Sequence, residues 1–288
     1  MNLHLFINWS FDAEIIPGYR TPNWYGLLFV SGMILGYFVI RKMFKQENIS
    51  NDLLDKLVMY MVPATVIGAR LGHVFFYGPY WGPEGYFSHP EEIFKIWEGG
   101  LASHGAAVVI LLALWYFSNN VIHRPYLWML DRIAAPIAIA GAFIRLGNLV
   151  NHEMVGYVTD VPWGFKFLHH DCMNVIDGQY LCDWAEIPVR HPANLYESLA
   201  YFLSFGILMF LYWKKQGWKK QGLVFGTFLI LIFGFRFLIE FLKESQTDND
   251  SLVDVSTGLN TGQWLSVPLV LAGIILIIRA RKKSLNEA

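Results

Sequence analysis

Apolar residues along this chain gather into runs long enough to cross a bilayer, separated by polar loops. A spanning helix needs roughly 20 mostly apolar residues. Seven such runs are read, at roughly 23–41, 56–77, 101–118, 127–147, 193–213, 222–242 and 263–280. The third holds an almost unbroken apolar stretch from Ala106 to Phe117. The fourth is interrupted by Pro136, Gly141 and Arg145, and the sixth carries Arg236 and Glu240. The pattern predicts an all-α fold: one polytopic membrane helix bundle over residues 1–288 with seven transmembrane helices. The longest polar segment, about 148–192, is expected to form a small head on the outer side. Gly32 and Gly36 in the first span, and Gly68 and Gly72 in the second, have the small-xxx-small spacing that lets helices approach closely.

Composition supports the membrane reading. The 288 residues are 55% hydrophobic and only 16% charged, with a mean hydropathy of +0.37. Soluble domains carry about 25% charged residues. The aromatic share, 16%, is high, and Trp and Tyr favour the headgroup zone. A net charge of -1 gives no reason to expect a nucleic-acid partner. Met1 to Ser10 lack the basic start and cleavage site of a signal peptide, so the first span is expected to stay in the mature protein.

Lys and Arg near span ends set the orientation. Arg41, Lys42 and Lys45 follow the first span; His123 and Arg124 follow the third; Lys214, Lys215, Lys219 and Lys220 follow the fifth; Arg279, Arg281, Lys282 and Lys283 close the seventh. With seven spans all of these fall on one side. The opposite segments are acidic, with Glu84, Glu91 and Glu92, then Asp160, Asp171, Asp177, Asp183 and Glu186, then Glu244, Asp248, Asp250 and Asp254. The N-terminus is therefore expected outside and the C-terminus in the cytoplasm.

Ionisable side chains within a span are costly and by default mark a site. Arg70, His104, Arg145, Arg236 and Glu240 come from four spans in different parts of the chain, yet all fall on the outer leaflet level. Arg236 and Glu240 are four apart and share a helix face, so a self-compensating ion pair is one reading. Arg145 weakens it, because one Glu cannot neutralise several arginines. Guanidinium groups hold phosphate bidentately and stay charged. The expected occupant is an anionic lipid headgroup. His104 lies among small residues and can exchange a proton, or can simply be hydrogen-bonded at a helix start. After Arg145 come Asn148, Asn151, Glu153 and Gly156, either a helix-end cap or a binding wall.

Seven strings resemble the prolipoprotein diacylglyceryl transferase family. They are Trp24-Tyr25-Gly26; Gly68-Ala69-Arg70-Leu71-Gly72; Trp97-Glu98-Gly99-Gly100-Leu101-Ala102-Ser103-His104-Gly105; Gly141-Ala142-Phe143-Ile144-Arg145-Leu146-Gly147-Asn148 with Asn151, Glu153 and Gly156; Arg190-His191-Pro192-Ala193-Asn194-Leu195-Tyr196-Glu197; Arg236-Phe237-Leu238-Ile239-Glu240-Phe241; and Gly262-Gln263-Trp264-Leu265-Ser266-Val267-Pro268. Together they cover nearly the whole chain. The resemblance implies transfer of the diacylglyceryl group of phosphatidylglycerol to the lipobox cysteine of a prolipoprotein signal peptide, at the periplasmic face of the bacterial inner membrane. It implies no metal and no organic cofactor. By the same resemblance Arg145 and Arg236 hold the lipid phosphate, and Tyr25, His104, Asn148, Glu153, Gly156 and Glu240 belong to the functional core. Two positions depart from the family pattern: His152 stands where Gly is common, and Lys243 where Arg is common, keeping charge without the planar fork.

The implied chemistry is an alkyl transfer in which sulfur attacks the glyceryl carbon and a phosphate oxygen leaves. A thiol becomes a strong nucleophile on losing its proton. His104 is the candidate base; lowering of the thiol pKa by the arginine field is the alternative. Arg145 and Arg236 would stabilise charge on the leaving phosphate. Glu240 would orient an arginine and Asn148 would hold a lipid oxygen, with Tyr25, Arg70, Asn151, Glu153 and Gly156 lining the substrate. Cys172 and Cys182 lie in the outer segment, where a disulfide is expected; a metal site with His169, His170, Asp171 and Asp183 is the other reading. The segment Phe167 to Glu186 is assigned no chemistry. A transporter would need polar residues in the inner halves of the spans, which are scarce here. An intramembrane protease would need a Gly-x-Ser-x-Gly or paired Asp, and Asp131 lies at the cytoplasmic end of span four, far from His104.

Overall fold

The computed structural model describes residues 6–16, 18, 22–76, 78, 85–95, 100, 102–176, 179–244 and 258–286. Among these, seven long helices lie where the apolar runs predict them: α1 (Trp24–Gln46), α2 (Asn51–Phe76), α3 (Ser103–Asn120), α4 (Tyr126–Val150), α6 (Ala193–Trp213), α7 (Leu223–Ile239) and α8 (Thr261–Asn286). A four-residue helix, α5 (Leu168–Asp171), precedes Cys172. Among the described residues six helices are long and apolar enough to cross a membrane; α3 is not one of them. The third of the seven expected spans therefore falls short by this measure. The run Ala106 to Phe117 is strongly apolar, but α3 begins on Ser103 and His104 and ends on Asn119 and Asn120. The acidic residues Glu84, Asp177, Asp248, Asp250 and Asp254, and Trp97, Glu98, Gly99 and Leu101 of the third string, lie outside the described residues.

Large apolar side chains sit on the outside of these helices. In α1, Leu27, Val30, Ile34 and Phe38 recur at helical spacing and are exposed; Leu199, Leu203 and Phe210 do the same in α6. Water would penalise such stripes, whereas lipid accepts them.

The chain divides into two compact units: Met1–Val39 with Asp131–Ala288, and Ile40–Leu130. In the second unit α2 packs on α3 through glycines. A Cβ on Gly105 would lie 2.3 Å from the Gly68 carbonyl oxygen and 2.4 Å from Gly72 Cα. The small-residue spacing in α2 is therefore a helix-packing device.

In the first unit Gly32 and Gly36 of α1 meet Ala140, Phe143 and Pro136 of α4. Gly226 of α7 and Gly273 of α8 cross backbone to backbone, each too close to the other's carbonyl to admit a Cβ. Asp131, fully buried, accepts from the amides of Gly222 (2.7 Å) and Phe225 (2.8 Å). These are N–H groups at the start of α7 that have no partner within the helix, and a carboxylate there also complements the helix dipole. Asp131 is thus a cap. At the start of α8, Asn260 and Gln263 exchange two bonds, 3.0 and 2.9 Å, as a capping box.

The segment between α4 and α6 carries short strands. β1 (Ile7–Trp9) pairs in parallel with β2 (Phe165–Phe167), with Ile7 opposite Phe165. β3 (Val175–Ile176) pairs antiparallel with β4 (Gln179–Tyr180). Leu149, Val155, Phe165 and Phe167 form a small core, with Trp9 and Leu195 against it. Cys172 and Cys182 form a disulfide, as expected.

Candidate active site

Four helix ends of the first unit place the charged residues. Arg145 and Asn148 lie in the last turns of α4, and Glu197 in the second turn of α6. Arg236 is in the last turn of α7. Glu240 opens a 3-10 turn, Glu240–Leu242, and Lys243 follows it. Gly262 and Gln263 open α8.

Arg145 Nε lies 3.0 Å from Glu197 Oε2, and its Nη1 donates to Asn148 Oδ1 at 3.4 Å and to Met154 Sδ at 2.9 Å. The guanidinium also donates to the Tyr201 hydroxyl. Lys243 Nζ sits 3.8 Å from Glu197 Oε1 and 3.9 Å from Glu240 Oε2. Glu197 is 1% exposed and Lys243 6% exposed. Neither Glu197 oxygen has an aligned hydrogen bond, so the contacts are ionic rather than directional. Gly262 faces the Glu240 carboxyl so closely that an added Cβ would come within 2.9 Å of its carbon. The capping box fixes that approach, and Gln263 Nε2 donates to the Phe237 carbonyl at 3.3 Å.

Arg236 and Glu240 do not form the ion pair their spacing allows. Among the described residues Arg236 Nε has no hydrogen-bond partner although it is buried. The physical reason lies in the backbone: α7 ends at Ile239, and the tighter turn beginning at Glu240 carries that carboxylate towards Lys243. Glu240 therefore faces a lysine where the sequence predicts an arginine. The charge balance also differs from the sequence reading. Glu197 adds a second carboxylate: Arg145 faces it, and Lys243 lies near both Glu197 and Glu240. Glu197 was missed, and the signal was present: it is an acid within the fifth apolar run, the same feature that singles out Glu240.

Beyond Asn148 the chain doubles back. Asn148 Nδ2 and Asn151 Nδ2 both donate to the Glu153 carboxylate, at 3.0 and 3.1 Å. His152 makes the reversal with φ 55°, the left-handed region that favours glycine. Its ring is buried: Nε2 meets the Phe11 carbonyl at 3.1 Å and the ring stacks on His169 at 4.3 Å. Burial pushes the His152 imidazole down to about 4, and the neighbouring His169 and His170 act in the same direction. Tyr25, in the first turn of α1, lays its ring over Gly147, within electrostatic reach of Glu153 and Arg145.

Gly156 is a backbone crossing point. Its amide donates to the His191 carbonyl at 2.9 Å, it bridges to Lys243, and a Cβ there would lie 2.5 Å from the Leu242 oxygen and 2.6 Å from His191 Cβ. Arg190 ties the same region together. It grips Asp171 through Nε (2.9 Å) and Nη2 (2.7 Å), and Glu244 through Nη1 at 3.0 Å. Burial opposes its charge, but these two carboxylates outweigh burial and hold its pKa above the ordinary value.

Arg70 and His104 belong to the second unit. Arg70 is buried and donates to the backbone carbonyls of Ile93 (2.9 Å), Gly100 (3.2 Å) and Glu92. Its guanidinium also lies 5.7 Å over the Tyr86 ring. The sequence reading gives Arg70 to substrate; in the structure its donors meet the carbonyls of Glu92, Ile93 and Gly100. His104 is exposed in the first turn of α3, edge-on to Phe76 at 6.3 Å, beside the glycine contact of Gly105. Among the described residues no group of three or more His, Cys, Asp or Glu side chains is placed to hold a metal ion.

The sequence was compared with known proteins. A relative from Porphyromonas gingivalis named phosphatidylglycerol--prolipoprotein diacylglyceryl transferase is 42% identical over 290 residues, covering 100% of this chain and 99% of the relative. Relatives of the same name from Chloroherpeton thalassium (40% identical, 100% and 99% covered) and Tolumonas auensis (41%, 96% and 98%) are similar over nearly their whole length. The family described as prolipoprotein diacylglyceryl transferase matches residues 16–279. With the match spanning most of the sequence and the relatives aligned end to end, the chain belongs to the prolipoprotein diacylglyceryl transferase family.

Proposed function

We propose that this protein transfers the diacylglyceryl group of phosphatidylglycerol to the lipobox cysteine of prolipoproteins, the first step of lipoprotein maturation. The observation that carries the reading is Arg236 Nε, buried and without a partner among the described residues, one turn before Glu240 of the ionic cluster in which Arg145 meets Glu197 and Lys243 lies near Glu197 and Glu240. An unpaired guanidinium edge under low dielectric favours an anion, and phosphate is the anion a phospholipid carries. The names of the relatives point to the same two substrates.

In the reaction, the cysteine sulfur forms a bond to the glyceryl carbon as the carbon–oxygen bond to phosphate breaks. The thiol proton goes to a base, and the bonding pair leaves on glycerol phosphate. Arg145 and Arg236 stabilise the negative charge gathering on that phosphate, an effect of order 10²–10³ in rate for one such donor. Lys243 and Glu197 hold Arg145 and Glu240 in place. Asn148, Asn151 and Glu153 present a polar wall to lipid oxygens, with Tyr25 beside it and Gly156 keeping the backbone crossing closed. His104 is the candidate base, on the chemistry of an exposed imidazole within a family string. Arg70 acts by holding the backbone at Glu92, Ile93 and Gly100.

In this reading all seven long helices span the inner membrane as one domain, and residues 148–192 form a periplasmic head, with the N-terminus outside and the C-terminus cytoplasmic. The charge bias of the loops supports that orientation. The test is direct. Purified protein, phosphatidylglycerol and a synthetic lipobox peptide are mixed, and the peptide is weighed. A diacylglyceryl mass gain is expected with a Cys peptide and none with its Ser counterpart. Absence of gain with the Cys peptide refutes the reading.

A further inference from the structure

The polar wall of the proposed site depends on a chain reversal that is intrinsically unfavourable. His152 is not glycine, yet it holds φ 55°, and Met154 two residues later holds φ 54°. Left-handed conformations in side-chain-bearing residues cost free energy and persist when surroundings over-determine them. The reversal lets the Glu153 carboxylate return to Asn148 and Asn151. Something must therefore hold His152.

What holds it is a stack. The His152 ring lies 4.3 Å from the His169 ring with 25° between planes, and His169 lies 4.3 Å from the Tyr180 ring with 20° between planes. Phe167 meets His152 edge-on at 5.8 Å, and the Phe11 carbonyl takes its Nε2 at 3.1 Å. Tyr180 is in β4, opposite Val175 of β3. The Cys172–Cys182 disulfide closes this hairpin, and Arg190 anchors its root through Asp171. The hairpin lies within Phe167 to Glu186, the segment to which the sequence assigned no chemistry.

We propose that the disulfide-closed hairpin is a positioning element for the proposed site: through Tyr180, His169 and His152 it fixes the reversal that aims Glu153 at Asn148. The inference rests on the proposed function, since it assigns a purpose to that site's wall. Tyr180 and His169 are positioning residues and touch no substrate. The groups acting electrostatically on His152 are His169, His170 and Asp12, and His170 in turn faces Glu244 at 3.5 Å.

The experiment compares the unaltered protein with Tyr180→Leu, Tyr180→Phe and the double variant Cys172→Ser/Cys182→Ser, by peptide mass gain per amount of monodisperse protein. Misplacing a site by about 1 Å can cost of order 10²-fold in rate. Tyr180→Leu and the double Ser variant are expected to lower kcat by about tenfold or more, with KM for phosphatidylglycerol little changed. Tyr180→Phe keeps the stack and is expected to keep the rate. The pH profile gives a second readout that is relative within each variant. The unaltered protein should show no His152 step between pH 5 and 7, whereas Tyr180→Leu, with the ring hydrated, should lose rate on the acid side of that window. Equal kcat and equal profiles in Tyr180→Leu, the double Ser variant and the unaltered protein overturn the positioning role. Loss in Tyr180→Phe as great as in Tyr180→Leu overturns it too. No mass gain by the unaltered protein instead sinks the proposed function itself.

Discussion

Glu197, buried in the second turn of α6, stands 3.0 Å from Arg145 at the end of α4. Each of these side chains is expensive to bury alone, and together they form the ionic centre on which Lys243 also leans. Removing one partner from a buried pair costs about 3–5 kcal/mol, whereas replacing both by apolar groups can be neutral. Glu197→Gln should therefore lower the melting temperature in detergent sharply, and Arg145→Met/Glu197→Met should recover much of the loss. Double-variant melting no better than the worse single variant would refute this.

Arg236 should behave differently. Among the described residues its Nε has no partner and no ion pair involves it, so removing the side chain strands no partner charge. Arg236→Ala is expected to leave stability within about 1 kcal/mol while lowering transfer by about 10²-fold or more. Comparing melting and peptide lipidation in Arg236→Ala and Arg145→Ala separates the two roles: Arg145→Ala should lose both, Arg236→Ala only the second.

Gly156→Ala tests a steric claim. The new methyl would meet the Leu242 oxygen at 2.5 Å and the His191 oxygen at 2.7 Å, both backbone atoms that cannot swing away. Overpacking of this kind costs about 1–3 kcal/mol. Lowered melting together with lowered activity is expected. Normal melting with lost activity would instead give Gly156 a direct role with substrate.

Acid should weaken the segment around His152 and His169. His152 is neutral when folded, with its pKa lowered from 6.5 to about 4, so the unfolded chain binds more protons between those values. Stability from this group is complete above pH 6.5 and is lost as pH falls towards 4. His169 is lowered as well, and adds in the same sense. His152→Gly tolerates the positive φ and removes the titration. Its melting temperature should therefore vary less between pH 7.5 and 5 than that of the unaltered protein. Equal slopes would assign the pH dependence elsewhere.

Helix positions were legible because lipid imposes a simple rule on long apolar runs, and α6 falls on residues 193–213 as read. The third run has a strongly apolar centre, but α3 also carries polar residues at both ends, so its length and composition alone do not mark it as a span. Arg145, Asn148 and Glu153 were legible together because they are close in sequence. Glu197 was passed over although an acid inside an apolar run is a local signal; the place of Lys243 was not legible, because it comes from the approach of α6 to the end of α7. The Arg236–Glu240 spacing was read as helical, and the 3-10 turn at Glu240 depends on the docking of Gly262 from α8. The hairpin opposite His152 was invisible as a functional element because ring stacking leaves no periodic signature.

The pairing of β1 with β2 sets an order of events during synthesis. Ile7 leaves the ribosome early, but its partner Phe165 follows 158 residues later (165 − 7 = 158). Closing so long a loop is entropically slow, and the chain must thread several helices into lipid first. The amino-terminal strand must therefore wait unpaired until more than half of the polypeptide has been made. A bulky fusion ahead of Ile7 would intrude on that late docking step, while the same fusion after α8 would leave it undisturbed.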